Sequence, residues 1–508
     1  MRNGFRQISC ILHFIGNLLE ILGLILLFPL IVVLVYWGRI GDGWETATAF
    51  VVAAIISFSL GMVLSHEFKP AALNPAGSML ICALSWLIVS AIGALPFVIA
   101  ARSNYLDAYF EAMSGFTTTG ITIFSELHKM PRSLIFWRAL TQWLGGIGIL
   151  SFFLVLTFQA GGAHHILGAE SHKISSRRPA PGLFHTIRII WTIYVVLTLF
   201  AVAVLAIERM PVFDSVCHGL TAIATGGFSP HDSSIGYYFQ EGVYNYRLIE
   251  YTLAFLMMLG GINFLIHYRL LTKDFKALWD NVEIRYWWRL IAVFVIIIMT
   301  ERLYRTGAFE ALFRRGVAVD LGEVERSFRH SIFQVISILT TSGFTTMNIS
   351  SDFFGVAAKQ LFLVMMVIGG CVGSTAGGFK VVRIAILNRL MFREIFKLRT
   401  SGKASTGLIV DRKILPEDEV HRIAALFFTW MALLLFGGVI TALFSNHGPW
   451  ASFSGMFSAM GNIGPCYISG PDMIDIHPVV KVTYIFGMLA GRLEILPVLL
   501  LFSRKAWR

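Results

Sequence analysis

The sequence predicts an all-α polytopic membrane protein: four repeats of span, pore loop and span around a pseudo-four-fold pore, preceded by an N-terminal helix pair. Three observations predict it. The 508-residue chain is 56% hydrophobic and only 14% charged, whereas soluble domains are roughly a quarter charged. Apolar runs of about 20 residues, enough to cross a bilayer, recur along its length. Four polar, glycine-bearing stretches interrupt them: SGFTTTGITIF (114–124), TAIATGGFSP (221–230), LTTSGFTTMN (339–348) and SAMGNIGPCY (458–467).

Residues 8–37 and 46–65 read as two helices joined by the polar turn GRIGDGWE. The first run is too long for a cleaved signal peptide and carries Glu20, which is assigned a structural role. Each later unit pairs two spans around one polar stretch: 78–100 with 133–159, 187–207 with 251–268, 287–300 with 360–379, and 424–444 with 479–502. The glycines Gly120, Gly227, Gly343 and Gly464 recur every 110 to 120 residues or so, roughly the spacing of an internal duplication. The expected organisation is a helix pair over 1–70 and repeats over 71–165, 166–280, 281–415 and 416–508.

Net charge is +11, and its placement matters more than its sum. Basic residues gather between the units: Lys173, Arg177, Arg178 and Arg188; then Arg269, Lys273, Lys276, Arg285 and Arg289; then Arg383, Arg389, Arg393, Lys397, Arg399 and Lys403. These connectors and both basic termini belong on the cytoplasmic side, so the glycine loops enter from outside. The excess reads as membrane topology, not as a nucleic-acid surface. Residues 301–330 lie outside and resist the rule, but their arginines are nearly balanced by acids. Five scattered cysteines, without CxxC spacing, argue against a disulfide framework or a zinc site.

Non-helical backbone at membrane depth is tolerated only where protein buries it or it lines a wet cavity. Four equivalent loops around one axis present rings of carbonyl dipoles that replace an ion's water shell. Glycine supplies the φ values such a strand needs. Hydroxyls of Thr118, Thr119, Ser229 and Thr345 add oxygen, the ligand of hard cations. A short helix precedes each loop, with Asp107, Asp214 and Ser452 as cap-type residues. Their C-terminal ends favour a cation on the axis.

The stretch IGGCVGSTAGGFK lies midway along the third repeat's second span. Gly369, Gly370, Gly373, Gly377 and Gly378, with Ser374 and Thr375, unwind the helix there and give a plug beneath the loops. It is not a phosphate-binding loop, because Phe379 precedes Lys380 and Val381 follows it. Arg492, an ionisable residue in the last span, marks function by default. It either donates to carbonyls of 369–378 and holds the plug shut, or pairs with Glu494 or snorkels. Lys380 either sets the cation potential of the inner mouth or snorkels. No HExxH or GxSxG is present, His164 and His165 are adjacent and so share no helix face, and an enzyme is not expected.

These motifs resemble the Trk/Ktr/HKT superfamily of potassium transporters. TTTG, TGGF, TSGF and GNIG resemble its four pore loops, FWRALTQWLGGIGIL (136–150) its first repeat's second helix, GGCVGSTAGGFKVVR (369–383) its intramembrane gating loop, and GMLAGRLEILPVL (487–499) its last helix. The extra N-terminal pair points to the bacterial TrkH branch, and the likeness covers essentially the whole chain. It implies potassium bound by carbonyls of Thr118, Thr119 and Gly120, of Thr225, Gly226 and Gly227, of Thr341, Ser342 and Gly343, and of Asn462, Ile463 and Gly464. It implies potassium uptake across a bacterial cytoplasmic membrane, driven by the membrane potential or coupled to another ion, with sodium or potassium/sodium symport as the alternative. Gly120, where plant relatives with serine prefer sodium, favours potassium. Pro465 departs from the pattern and removes a backbone N–H behind the fourth loop. The resemblance further implies a homodimer and a separate cytosolic, nucleotide-binding TrkA-like regulator, with no organic cofactor in this chain. The basic 383–422 connector is either that regulator's dock or a solvated, lipid-facing loop.

Overall fold

The computed structural model describes residues 2–39, 41–70, 75–159, 183–242, 245–308, 320–399, 407–411 and 413–507. His164, His165, the basic cluster 173–178 and Lys403 fall outside the described residues. Among the described residues five helices are long and apolar enough to cross a membrane: Arg6–Val35, Trp44–Glu67, Ala76–Ala100, Phe184–Ile207 and Glu417–Phe444. Tyr246–Gly261 and Phe264–Leu271 make a sixth if they count as one span bent by 101°. Helices Arg132–Gln159, Val282–Arg305, Val356–Ile368 and Pro478–Arg492 complete the bundle. Leu24, Ile31, Leu199, Ile296, Phe436 and Leu443 are exposed on the outside, a surface suited to hydrocarbon.

The N-terminal pair packs backbone to backbone. A Cβ on Gly16 would meet the Ser65 amide nitrogen at 2.6 Å, and one on Gly61 the Glu20 amide nitrogen at 2.7 Å, the small-residue contact by which membrane helices approach closely. Glu20 accepts from Ser65 Oγ (2.5 Å) and Ser57 Oγ donates to the Leu19 carbonyl (2.7 Å), so Glu20 is used within the pair. The turn joining the pair reaches into the first repeat, where Asp42 accepts from the Arg132 amide (2.8 Å) and Ser133 Oγ (2.5 Å). A carboxylate thereby satisfies the open N-terminus of Arg132–Gln159.

Several elements differ from expectation. The first run divides into Arg2–Ile25 and Pro29–Val35, because Pro29 has no N–H to continue the ladder. The second repeat's closing span breaks after Gly260 and Gly261, where Asn263 caps a new helix by accepting from the Leu265 amide (2.8 Å). The third short helix is longer than the few turns expected, running over Leu321–Leu339. The cap assignments fail for all three residues. Asn104 caps the first short helix, Pro211 and Gly448 precede the second and fourth, and Asp107, Asp214 and Ser452 lie within first turns. The connector after Val381–Arg399 holds a two-stranded hairpin, Leu408–Val410 against Lys413–Leu415, the only strands among the described residues.

A buried ion pair ties the first short helix, Tyr105–Phe116, to Arg132–Gln159. Arg138 Nε donates to Glu111 Oε1 (2.7 Å), and both side chains are almost fully enclosed. Glu111 also accepts from the Ile123 amide (3.1 Å), and Arg138 reaches the Ser229 carbonyl (3.2 Å). Glu111→Ala leaves a buried guanidinium without its counter-charge. We expect a stability loss of about 3–5 kcal/mol, read as a lower thermal midpoint of the detergent-solubilised protein; an unchanged midpoint would contradict the pairing.

Candidate functional site

The four glycine loops share one backbone signature. Thr118, Thr225, Thr341 and Asn462 have φ of 52°, 52°, 55° and 54°, and two residues later Gly120, Gly227, Gly343 and Gly464 have φ of 82°, 77°, 83° and 107°. Each left-handed non-glycine residue costs about 1–3 kcal/mol and persists only if its surroundings enforce it. They do. The residue after each one donates its amide to the preceding short helix: Thr119 to the Ser114 carbonyl (2.8 Å), Gly226 to Thr221 (2.9 Å), Ser342 to Ser337 (2.9 Å) and Ile463 to Ser458 (3.0 Å).

That pattern orients the carbonyls. Across a trans peptide the C=O points opposite to the N–H, so the carbonyls of Thr118, Thr225, Thr341 and Asn462 turn away from their helices. The loops also meet in cyclic order. A Cβ on Gly120 would fall on the Gly226 carbonyl oxygen, one on Gly227 on that of Ser342, and one on Gly343 on that of Ile463. One on Gly464 would lie 3.1 Å from the Thr119 oxygen. Each loop's carbonyl therefore occupies the space a side chain on its neighbour would need, and the ring closes from the fourth loop to the first.

All four loops are also tied back four or five residues beyond the left-handed turn. Ile123 donates to Glu111, Ser229 Oγ pairs with His218 Nε2 (3.2 Å), Thr346 Oγ1 pairs with His330 Nδ1 (2.8 Å), and the Tyr467 amide donates to Ser454 Oγ (2.8 Å). Pro465 removes one amide from the fourth loop, but Gly464 on one side donates to Ser458 Oγ (3.0 Å) and Tyr467 on the other to Ser454. That loop keeps its anchorage.

Sequence reasoning missed Gln142. It is fully buried, donates Nε2 to the Gly226 carbonyl (2.6 Å) and accepts from the Phe228 amide (2.9 Å). The Gly226 carbonyl is thus engaged by a side chain, unlike the picture of twelve equivalent carbonyls. Its signal was a polar side chain inside an apolar span.

Beneath the ring, Val356–Ile368 stops and the chain runs without helix to Val381. Gly369, Gly373 and Gly378 have φ of 74°, 71° and 78°, and Cβ atoms on Gly369 and Gly378 would collide with each other's backbone. The segment touches the ring directly: Thr225 Oγ1 donates to Thr375 Oγ1 (3.2 Å), and the Gly377 amide donates to Thr341 Oγ1 (2.6 Å). The break after Gly261 now has a cause. The freed carbonyls of Gly260 and Gly261 accept from the Thr375 and Cys371 amides (3.2 Å each).

Charges hold the segment from two sides. Arg492, only 2% exposed, donates Nη1 to the Thr375 carbonyl (2.6 Å) and Nη2 to the Gly145 carbonyl (3.0 Å). Glu494 instead pairs with Arg383 (2.5 Å). Glu283, also missed, accepts from the Val372 amide (2.8 Å). Lys380 is buried and donates to the Ala376 carbonyl (2.5 Å), so it folds back on the segment rather than reaching the interface. Gly370 and Ser374 complete the turn, with Ser374 Oγ donating to the Cys371 carbonyl (2.6 Å).

A closed ring of backbone loops, buried among apolar spans and underlain by a charge-pinned segment, defines a polytopic membrane protein organised around a carbonyl-rich centre. Residues 46–507 match the family described as TrkH, cation transport protein, and the chain belongs to that family. It is 29% identical over 512 residues to the Trk system potassium uptake protein TrkH of Salmonella typhimurium, covering 99% of both chains. It is 29% identical over 506 residues to an uncharacterized cation transporter of Methanocaldococcus jannaschii, covering 98% of this chain and 96% of that one. The crystal structure of the potassium transporter TrkH from Vibrio parahaemolyticus superposes with a TM-score of 0.84 at 26% identity, covering 99% of this chain and 100% of that one.

Gln142→Leu would leave the Gly226 carbonyl and the Phe228 amide buried without partners, at about 1–3 kcal/mol for each group. We expect faster hydrogen–deuterium exchange over 226–228, with 341–343 unchanged. Equal exchange in wild type and variant would contradict the buttress.

Proposed function

We propose that the chain takes up potassium through the ring formed by residues 118–120, 225–227, 341–343 and 462–464, with potassium as the transported substrate. The observation that carries this reading is the fourfold recurrence of one left-handed turn and one glycine, closed in a ring by carbonyl oxygens. Oxygen dipoles at fixed positions replace the hydration shell of a hard monovalent cation. Relatives named potassium uptake proteins over nearly the full length support the choice of ion. Inward movement gains about 2.3 kcal/mol per 100 mV of inside-negative potential, so membrane potential suffices as a driving force. The setting is a bacterial cytoplasmic membrane.

The 369–380 segment is the gate in this reading. It sits against Thr225 and Thr341 of the ring, and Arg492 bridges it to Gly145 of the first repeat. Opening requires those bonds to exchange partners. A second copy of the chain and a cytosolic nucleotide-binding regulator of the TrkA type complete the assembly. The basic face of Val381–Arg399 and the adjoining hairpin serve as the regulator's dock. In this reading the repeats run over 71–165, 166–280, 281–415 and 416–508, with the helix pair over 1–70 as an added unit.

The test is rubidium-tracer uptake into proteoliposomes of the purified chain, with and without a cytosolic partner. Competition by potassium but not sodium is expected. Gly120→Ser, which sets a side chain against the Gly226 carbonyl, should relax that discrimination. Uptake equally blocked by sodium, or none in any condition, would overturn the reading. Arg492→Ala removes two charge-assisted hydrogen bonds of about 1.5–3 kcal/mol each, and a leak flux at least several-fold higher is expected. An unchanged leak would remove Arg492 from the gate.

A further inference from the structure

The N-terminal helix pair meets the rest of the bundle along its first helix as well as through Asp42. A cavity of about 580 Å³ lies between its first helix, both helices of the first repeat and the start of Phe184–Ile207. Its outer end is bordered by Phe14, Ile21 and Trp191, which are 41%, 55% and 45% exposed. All three stand on helices long and apolar enough to span a membrane, so the phase that meets this opening is hydrocarbon. Its inner end is formed by Phe116 and Gly145. We propose that this cavity is a binding site for one acyl chain of an anionic phospholipid from the cytoplasmic leaflet.

Three observations support that occupant. The walls are mostly apolar side chains and the aromatic rings of Trp86 and Trp191, with Ser78, Ser85 and Ser151 among them, and both indole N–H groups are already used, by the Phe116 carbonyl (3.0 Å) and Ser151 Oγ (2.9 Å). A polar ligand would find few partners there, whereas an acyl chain entering from the surrounding hydrocarbon fills the space by van der Waals contact. The volume lies within the few-hundred-Å³ range of sites that enclose a small ligand. The exposed Arg188 stands three residues before Trp191, on the same helix face and one turn toward the basic, cytoplasmic end. It is positioned for a phosphate headgroup whose tail enters past Trp191.

The inner end explains why such a site matters. The Gly145 carbonyl accepts from Arg492 Nη2, and Phe116 directly precedes the loop that begins the ring. A chain filling the cavity braces Arg132–Gln159 where the Arg492 bridge lands. This coupling rests on reading 369–380 as a gate; the binding site itself does not.

The experiment places the full-length protein in nanodiscs of phosphatidylcholine and phosphatidylglycerol with brominated acyl chains. Bromine quenches indole emission at contact, and Trp86 reports on the cavity. The emission lost in Trp86→Phe should be strongly quenched in wild type. In Gly148→Leu, which fills the cavity from a position where a Cβ meets Trp86 only at 3.4 Å, that component should become insensitive to bromine. Native mass spectrometry should find one retained lipid, with a roughly fivefold preference for the anionic one that Arg188→Gln abolishes. A Trp86 component untouched by bromolipid in wild type would overturn the proposal, whether the cavity is empty or filled by the chain's own 160–182 connector. Retained lipid without anionic preference would overturn the headgroup assignment. Rubidium flux that responds to phosphatidylglycerol in wild type but not in Gly148→Leu supports the coupling. Normal flux with no lipid response, alongside proven binding, would sink the coupling and leave the transport reading intact.

Discussion

Backbone that leaves a helix inside a bilayer must find its hydrogen bonds within the protein, and the rest of this structure follows from how four loops meet that demand. Their amides fold back on the helices that precede them. Because a peptide's two polar groups point in opposite directions, satisfying the amides outward leaves carbonyls facing the loops' common centre. The left-handed turns at Thr118, Thr225, Thr341 and Asn462 follow from this geometry. So does the requirement for glycine two residues later, where the neighbouring loop's carbonyl takes the place of a side chain.

The ring is equivalent in backbone and unequal in its supports. The first and third loops pair hydroxyls, Thr117 with Thr119 (2.7 Å) and Thr340 with Ser342 (2.8 Å). The second uses Gln142, and in the fourth Asn462 Nδ2 donates to Thr119 Oγ1 and the Met488 carbonyl (2.9 Å each). The turn is the same in all four loops, while the side chains that brace it differ. The 369–380 segment adds a further asymmetry: the chain leaves the helix between Val356–Ile368 and Val381–Arg399 and sets backbone against the ring. That break is matched by the bend after Gly261, whose freed carbonyls it occupies.

Much of this was legible in the sequence because the controlling signals are local. Glycine spacing identified the loops, five glycines within one span identified the unwound segment, and a lone arginine in the last span identified its anchor. What was missed depends on distant partners. Gln142 meets Gly226 across 84 residues and Glu283 meets Val372 across 89; a polar side chain within an apolar span marks Gln142 as unusual, but its own stretch of chain does not say which distant group it meets. The caps were misread for a different reason: Asp214 looks like a cap by type, but its carboxylate is taken by His231 (2.8 Å) and Tyr238 (2.9 Å). The bend at 262–263 is marked locally by Gly260, Gly261 and Asn263 and was passed over within an apolar run, because the groups that occupy the freed carbonyls, the Thr375 and Cys371 amides, lie more than 100 residues away.

The central claim is that the ring's carbonyls hold a dehydrated cation. Anomalous diffraction from crystals grown in rubidium or thallium measures this most directly. The account predicts anomalous peaks on the axis within coordination distance of Thr118, Thr225, Thr341 and Asn462 carbonyls, lost when sodium replaces the heavy ion. A clear map with no axial peak at that level, or with peaks only at side chains elsewhere, would contradict it.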